Sequence, residues 1–166
     1  MKTRLKILLF CLGCLTLISW DRASKELAKE HLMNKEPVSY FHNMVRFEYA
    51  ENTGAAMNFG DDWSKPASFW LLSVIPLIIL SLLFFYTIKK SKELSPSKIT
   101  SFALIFSGGI GNIIDRIIYD RHVTDFMNIG LNNLRTGIFN FADVCVTAGV
   151  ILLAVCYYQE GKKQPV

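Results

Sequence analysis

The chain has 166 residues, of which 51% are hydrophobic and 19% are charged, and its formal net charge is +4. This length would suit one soluble domain, but the apolar residues fall in long blocks, which are typical of membrane spans. The basic residues form no stripe interleaved with aromatic residues, so the net charge does not indicate a nucleic-acid-binding protein.

Four apolar blocks predict four membrane-spanning helices, at about residues 5–28, 66–88, 99–118 and 138–158. A helix needs about 20 residues to cross ~30 Å of hydrocarbon, so four spans use most of the chain. Two outer loops, residues 32–65 and 119–137, separate the first span from the second and the third from the fourth. We therefore expect a single membrane-embedded domain over residues 1–166.

The distribution of charge predicts the orientation of these spans. Basic residues are concentrated in the N-terminal segment, in the link between spans two and three, and in the C-terminal tail (Lys2, Arg4, Lys6, Lys89, Lys90, Lys92, Lys98, Lys162 and Lys163). Because positive charge favours the cytoplasmic side, both termini should be cytoplasmic and the two loops should face outward.

The first block allows two interpretations, because basic residues before a short apolar run also describe a cleaved secretory signal peptide. Residues 10–14 resemble a lipoprotein cleavage box, but Cys11 stands where such boxes favour Leu. Three further spans follow, which favours an uncleaved first helix. All four cysteines fall within spans, and no metal-ligand set or phosphate-binding loop occurs, so we expect no metal or organic cofactor.

Asp21 and Lys25 follow the apolar part of the first span and lie four residues apart, so they share one helix face. They could form a surface ion pair, or they could orient groups around a site at the bilayer edge. The sequence alone does not favour either interpretation.

The first outer loop contains strand-like residues between Val38 and Tyr49, which predict a hairpin or a small sheet. Residues 52–54 (Asn-Thr-Gly) follow. Local sequence favours a simple turn there, although small residues also suit a backbone that lies close to a ligand.

The third span ends in small residues at 107–111, which favour close helix packing, and then carries Asn112, Asp115 and Arg116. Arg116 could extend to the lipid headgroups. Alternatively it could pair with Asp115 and hold the carboxylates of a site. Three polar groups on one face of an apolar helix favour the second interpretation.

Asp125 in the second outer loop and Asp143 at the start of the fourth span lie at the same predicted membrane edge. An ionised Asp within a span costs roughly 2.5–3.5 kcal/mol, so such residues usually mark a function. Two neighbouring carboxyl groups cannot both ionise easily and can share a proton, as in aspartic proteases. The pair predicts a hydrolase that activates water, with Asn140 on the same helix face as Asp143.

Two other classes of protein remain possible on these residues. A proton-coupled transporter could use Asp115, Asp125 and Asp143 as a relay, but it would place carboxylates at several depths and often shows an inverted repeat. A non-catalytic assembly protein could use Asp–Arg pairs for packing, but it would leave Asp143 without a basic partner other than Arg116.

Four blocks of the sequence resemble, in order and spacing, the signature blocks of the bacterial lipoprotein signal peptidase (signal peptidase II) family: residues 52–56, 111–116, 123–126 and 139–143. The pair Asp21 and Lys25 is similar to that family's first block, and the resemblance covers essentially the whole chain. One departure lies at residues 57–59, where the family more often places Phe directly after Gly-Ala-Ala, and it concerns the shape of an outer lid.

The resemblance implies an all-α integral membrane protein with four transmembrane helices, a small extracytoplasmic β-element and a short outer helix near residues 55–61. It implies a catalytic dyad of Asp125 and Asp143. It also implies substrate-binding or supporting roles for a larger set of residues: Asn52, Gly54, Asn112, Asp115, Arg116, Asn140, Asp21 and Lys25.

The function implied by the resemblance is that of an aspartic endopeptidase. Its substrate is a prolipoprotein whose signal peptide is removed just before a diacylglyceryl-modified Cys. The enzyme should act as a monomer in the bacterial cytoplasmic (inner) membrane, with its site at the outer face, and have membrane lipid but no nucleic acid as a partner. One Asp would serve as general base and the other would polarise the scissile carbonyl, with neither role assigned to a particular residue.

Overall fold

A computed structural model describes residues 2–55, 59–131 and 134–162 of the chain. Two groups of predicted features therefore lie outside the described residues: positions 56–58, which include the end of the block 52–56 and part of the outer lid, and Lys163 in the tail. The helices are α1 (Thr3–Leu32), α2 (Lys65–Phe69), α3 (Ile75–Lys90), α4 (Pro96–Ile118) and α5 (Phe141–Gly161). The strands are β1 (Val38–Tyr40), β2 (Val45–Asn52), β3 (Val123–Leu131) and β4 (Leu134–Arg135).

Four helical stretches are long and apolar enough to cross a membrane: Thr3–Leu32, Lys65–Lys90, Pro96–Ile118 and Phe141–Gly161. They coincide with the four predicted blocks and fit a multi-pass membrane protein. The helix ends follow local rules. For example, Ser95 accepts a hydrogen bond from the Lys98 N–H at 3.3 Å, and Pro96 occupies the first turn, where its missing N–H costs nothing.

A π-helical segment, Trp70–Val74, joins α2 to α3. Pro76 follows directly, and in a regular α-helix its ring would clash with the carbonyl of Leu72, four residues earlier. A wider π-helical turn relieves that clash, and such turns often occur at functional sites.

Helix α4 is the centre of the bundle and packs against α1, α3 and α5. A Cβ on Gly108 would lie 2.3 Å from the Ala142 carbonyl oxygen, and one on Gly149 would lie 2.9 Å from the Ser101 carbonyl oxygen. The small residues therefore let the backbones of α4 and α5 approach closely, as the sequence predicts for residues 107–111.

The strands form one antiparallel sheet in the order β1-β2-β3-β4. The predicted strand content of Val38–Tyr49 is confirmed, since this segment supplies β1 and most of β2. Residues 119–137, between the third and fourth predicted spans, contain β3 and β4, which the reasoning from sequence did not predict. Residues 123–126 are all buried, so both faces of β3 are covered there and the usual alternation of polar and apolar residues is lost.

The short outer helix expected near residues 55–61 is not seen in the described part of that segment. Residues 59–62 form turns, with Gly60 at φ +82°. The Ala55 N–H donates to the Phe59 carbonyl at 2.7 Å, and the rings of Phe59 and Trp63 meet edge to face with centroids 5.3 Å apart. The next helix begins only at Lys65.

Candidate active site

A cavity of about 560 Å³ lies between the sheet and helices α3, α4 and α5, and both Asp125 and Asp143 line it. Its remaining wall includes Asn52 and Arg116 at the polar end and apolar side chains of the helices. The structure thus brings together two carboxylates that are 18 positions apart in the sequence.

Asp125 lies on β3 opposite Ala50 of β2, and its side chain is buried. Its Oδ1 accepts a hydrogen bond from the side-chain nitrogen of Asn140 at 2.6 Å. Its Oδ2 accepts one from the side-chain nitrogen of Asn52 at 3.2 Å. Two amide donors therefore hold this carboxylate in one orientation.

Asp143 is the third residue of α5 and forms a capping box with Asn140. Its Oδ2 accepts from the Asn140 backbone N–H at 3.0 Å, and its Oδ1 accepts from the side-chain nitrogen of Asn112 at 2.8 Å. Asn140 therefore donates to both carboxylates, from its side chain to Asp125 and from its backbone to Asp143.

Burial and, to a smaller extent, the nearby charge of Asp143 together raise the pKa of the Asp125 carboxyl to about 6, although hydrogen bonds from Asn140 and Asn52 oppose the increase. Burial penalises the charged form of a carboxyl, and a neighbouring negative charge does the same. The Asp125 carboxyl therefore keeps its proton at a higher pH than an ordinary Asp side chain does, which suits it to general acid–base chemistry.

Lys25 is the centre of a buried cluster behind the two carboxylates. Its Nζ lies 2.8 Å from Asp21 Oδ2, 2.9 Å from Asp115 Oδ2 and 3.0 Å from Asn112 Oδ1. Lys25, Asp21 and Asp115 are each at most 2% exposed. The Asp21–Lys25 pair is therefore not a surface ion pair, and the alternative, that it orients groups around a site, agrees with the structure.

The two acidic members of this cluster also bind the backbone of the elements that carry Asp125 and Asp143. Asp115 Oδ2 accepts from the Thr124 N–H at 3.3 Å, immediately before Asp125. Asp21 Oδ1 accepts from the Ala142 N–H at 2.9 Å, immediately before Asp143. The cluster thus fixes the start of β3 and the first turn of α5.

The expected ion pair between Arg116 and Asp115 is wrong. Asp115 instead contacts Lys25 and Arg22, because consecutive residues of a helix point about 100° apart. The guanidinium of Arg116 donates to the Gly54 carbonyl at 2.6 Å and to the Asn112 carbonyl at 3.4 Å. Arg116 therefore holds the loop after β2 against α4.

Residues 52–54 form a turn, as the local sequence favours, and Asn52 lines the cavity. Gly54 donates its N–H to Asn52 Oδ1 at 2.9 Å, which leaves the Asn52 side-chain nitrogen free to bind Asp125 and the Ala55 carbonyl. The hydrogen bond from the Gly54 N–H to Asn52 Oδ1 therefore both closes the turn and orients the Asn52 amide.

Some residues of the site were missed by the reasoning from sequence. Arg22 binds Asp115, and its position between Asp21 and Lys25 on the same helix could have indicated it. Residues 136–138 and the pair Leu72 and Pro76 also line the cavity, and no local pattern distinguishes them. Within the described ranges, no group of three or more His, Cys, Asp or Glu residues could hold a metal ion.

Comparison with known proteins identifies the family of this chain. Residues 14–159 match the model of the family described as signal peptidase (SPase) II. The chain belongs to this family. It is accordingly a peptidase, of an aspartic family, and the predicted resemblance is confirmed.

Two relatives show how far the similarity to this family extends. The lipoprotein signal peptidase of Chlorobium phaeobacteroides (strain BS1) is 36% identical over 158 residues, which cover 90% of this chain and 95% of that protein. The lipoprotein signal peptidase of Borrelia duttonii (strain Ly) is 33% identical over 146 residues, or 84% of this chain and 83% of that one.

A solved structure titled as a bacterial membrane enzyme, determined by the in meso method at 2.3 Å resolution, has the same fold. It aligns with a TM-score of 0.78 and 25% identity, covering 95% of this chain and 93% of that one. The arrangement of four long apolar helices with a small antiparallel sheet therefore agrees with an experimentally determined membrane enzyme.

Proposed function

We propose that this chain removes the signal peptide from diacylglyceryl-modified prolipoproteins, cleaving just before the lipidated Cys, and that Asp125 and Asp143 are its catalytic residues. One observation carries the proposal: Asn140 donates a hydrogen bond to each carboxylate within a single cavity. Membership of the signal peptidase II family supports the substrate class.

The chemistry follows from one proton shared by the two carboxyl groups. The ionised carboxylate accepts a proton from water as the water oxygen attacks the carbonyl carbon of the scissile peptide. The protonated carboxyl donates its proton to the carbonyl oxygen, which gives a neutral tetrahedral intermediate. That intermediate collapses when the carboxyl that took the proton from water gives it to the leaving nitrogen, the other carboxylate takes a proton from a hydroxyl of the intermediate, and the C–N bond breaks. The titration belongs to the pair, so neither role is assigned to one residue.

The surrounding residues have distinct parts in this proposal. Asn52, Asn112 and Asn140 orient the carboxylates, while Arg116 and Gly54 fix the loop that borders the cavity. Supporting roles fall to Asp21, Lys25 and Asp115, whose buried cluster anchors both catalytic elements.

Apart from the polar residues named above, the cavity is lined by apolar side chains that include Leu72, Pro76, Ile113 and Val146. This lining suits the apolar residues of a signal peptide and the acyl chains of its lipidated Cys. A substrate anchored by lipid would then reach the polar end of the cavity by lateral diffusion.

We place the protein in the bacterial cytoplasmic (inner) membrane, with both termini cytoplasmic and the site at the outer face. The Lys6 ammonium donates to the Leu94 carbonyl at 2.7 Å, and Lys98 pairs with Glu160 at 2.6 Å. The lysine-rich ends of the chain therefore meet the link between α3 and α4 at one end of the bundle. This common end supports the orientation expected from the excess of basic residues.

The proposal is tested with purified protein in detergent and a prolipoprotein with or without its diacylglyceryl group. Wild type should cleave only the lipidated form, and Asp125→Asn and Asp143→Asn should each abolish cleavage. The thermal unfolding of each variant should remain cooperative, which separates loss of catalysis from loss of fold. Substantial activity in either variant would remove that residue from the dyad.

A further inference from the structure

Residues 136–139 run along one wall of the cavity that contains the two carboxylates, between β4 and α5. One side of this segment is paired with β3. Phe139 exchanges two hydrogen bonds with Met127, each of 2.8 Å, and the Thr136 N–H donates to the Ile129 carbonyl at 2.8 Å. We call residues 136–139 the return segment.

The other side of the return segment is unpaired. In an antiparallel ladder, a residue that exchanges both hydrogen bonds with its partner is followed by one whose N–H and C=O point the opposite way. Since Phe139 faces Met127, the backbone groups of Ile138 point away from β3. Among the described residues, neither the backbone of Ile138 nor that of Gly137 has a hydrogen-bond partner.

This unpaired edge is held in place by its neighbours. The buried Asn128 side chain donates to the Thr136 carbonyl at 2.7 Å, and the Ile129 N–H donates to Thr136 Oγ1 at 3.0 Å. The return segment is therefore ordered before any ligand binds, so the entropy lost on pairing with a second strand is reduced.

We propose that the main chain of the substrate, on one side of its scissile bond, binds as an extended strand along the return segment, with Ile138 donating one hydrogen bond and accepting another. This inference rests on the proposed function, whose substrate it describes. Addition of a strand to a free sheet edge is a common mode of peptide recognition.

The chemistry of the substrate favours this occupant over any other. A signal peptide that enters from the membrane is helical, because its backbone groups must be paired in hydrocarbon. To be cleaved it must unwind, and the freed N–H and C=O groups then need new partners in a poorly hydrated cavity. Ile138 supplies a donor and an acceptor in the same cavity as the carboxylates.

The test is an N-methyl scan of a lipidated peptide substrate, in which one backbone N–H at a time is replaced around the scissile bond. Wild type should show a loss of kcat/KM of several-fold to about tenfold at one position close to the cleavage site, as expected for one lost hydrogen bond. Peptides methylated far from the site should be cleaved normally. A scan with no position-specific loss would overturn the proposal.

A variant of the enzyme links that loss to the return segment. Ile138→Pro keeps the carbonyl to which the methylated N–H would donate, but it removes the adjacent N–H donor and puts the proline ring in its place. The substrate strand can then no longer lie at hydrogen-bond distance from residue 138, so the loss at the sensitive position should shrink in this variant. Ile138→Val keeps the N–H and should keep the loss. If a folded Ile138→Pro protein shows the same dependence of kcat/KM on the position of the N-methyl group as wild type, the pairing is contradicted. If that variant does not fold, the scan with wild type decides alone. Failure of the proposed function is distinguishable, because the unmodified lipidated peptide would then not be cleaved.

Discussion

The ammonium group of Lys25 on α1 donates a hydrogen bond of 3.0 Å to the side-chain oxygen of Asn112 on α4. An ammonium group can only donate, so the oxygen of the Asn112 amide must face Lys25 and its nitrogen must face the other way. That nitrogen lies 2.8 Å from Asp143. Lys25, together with the Asn140 side-chain nitrogen that donates to the same oxygen at 3.1 Å, thus orients the Asn112 amide, and Lys25 does so without touching either member of the proposed dyad.

Replacing Lys25 with Met should destabilise the protein by about 3–5 kcal/mol, because Asp21 and Asp115 would be left buried without their shared cation. Unfolding in a denaturing detergent series measures the change. Lys35→Met is the matched control, since Lys35 is exposed, and its effect should stay within about 0.5 kcal/mol. Equal stability of the two variants would show that the buried cluster does not stabilise the fold.

Replacing Arg116 with Ala should reduce kcat/KM by at least about tenfold, because one charged hydrogen bond to the loop after β2 contributes about 1.5–3 kcal/mol. Arg116→Lys should recover only part of the loss, since a single ammonium cannot match the planar fork of a guanidinium. Steady-state kinetics on the lipidated substrate give the comparison, with the exposed Arg4→Ala as control. Full activity in Arg116→Ala would show that its hydrogen bond to the loop after β2 is not needed for cleavage.

The stability of the wild-type protein should fall as pH rises from about 4 to about 6. Burial raises the pKa of Asp125 to about 6 in the folded state, against about 3.9 in an unfolded chain, so the folded state binds the proton more tightly. This contribution is complete below the unfolded pKa and is lost as pH passes the folded pKa, a difference of about 3 kcal/mol.

The measurement is the unfolding free energy of wild type and Asp125→Asn over this pH range. The variant has no proton to exchange at this position, so its curve should be flatter than that of wild type. Curves that run parallel would mean that Asp125 titrates at its ordinary pKa. For the same reason, cleavage should decline above about pH 6 as the pair loses its shared proton.

Gly108→Ala should destabilise the protein by about 1–3 kcal/mol, because the new Cβ would lie 2.3 Å from a backbone carbonyl of α5. Gly13→Ala is a matched control on α1, where nothing lies within 4 Å of the added methyl. That change should be neutral or slightly stabilising, since Ala favours a helix. Thermal unfolding distinguishes the two. If Gly108→Ala left the stability unchanged, α5 would be free to move away from α4 and make room for the added methyl group.

The helices were predictable from sequence, because long apolar blocks have few alternatives to membrane-spanning helices. The sheet was predictable only in part. β2 retains enough β-prone residues to be recognised, whereas β3 is covered on both faces where it passes Asp125 and has no alternation. The packing of other parts of the chain against both faces of β3, rather than the β-propensity of its own residues, determines this strand.

The residues of the site were predictable from their chemistry, but their partners were not. Asp115 and Arg116 are neighbours in sequence, yet Asp115 pairs with Arg22 and Lys25 from α1, and such a pairing depends on how α1 and α4 pack. The free edge at Ile138 depends on how the chain returns from β4 to α5, which no motif encodes.

The capping box of α5 has a consequence for the order in which the site is assembled. Asp143 is held by the backbone N–H of Asn140, only three residues earlier, so this half of the dyad forms together with the first turn of its own helix. Asp125 needs Asn52, which lies 73 positions away. A fragment that contains only α5 and its N-cap should therefore already hold its carboxylate in the native orientation in micelles, and assembly of the enzyme consists of bringing the second carboxylate to a preformed first one.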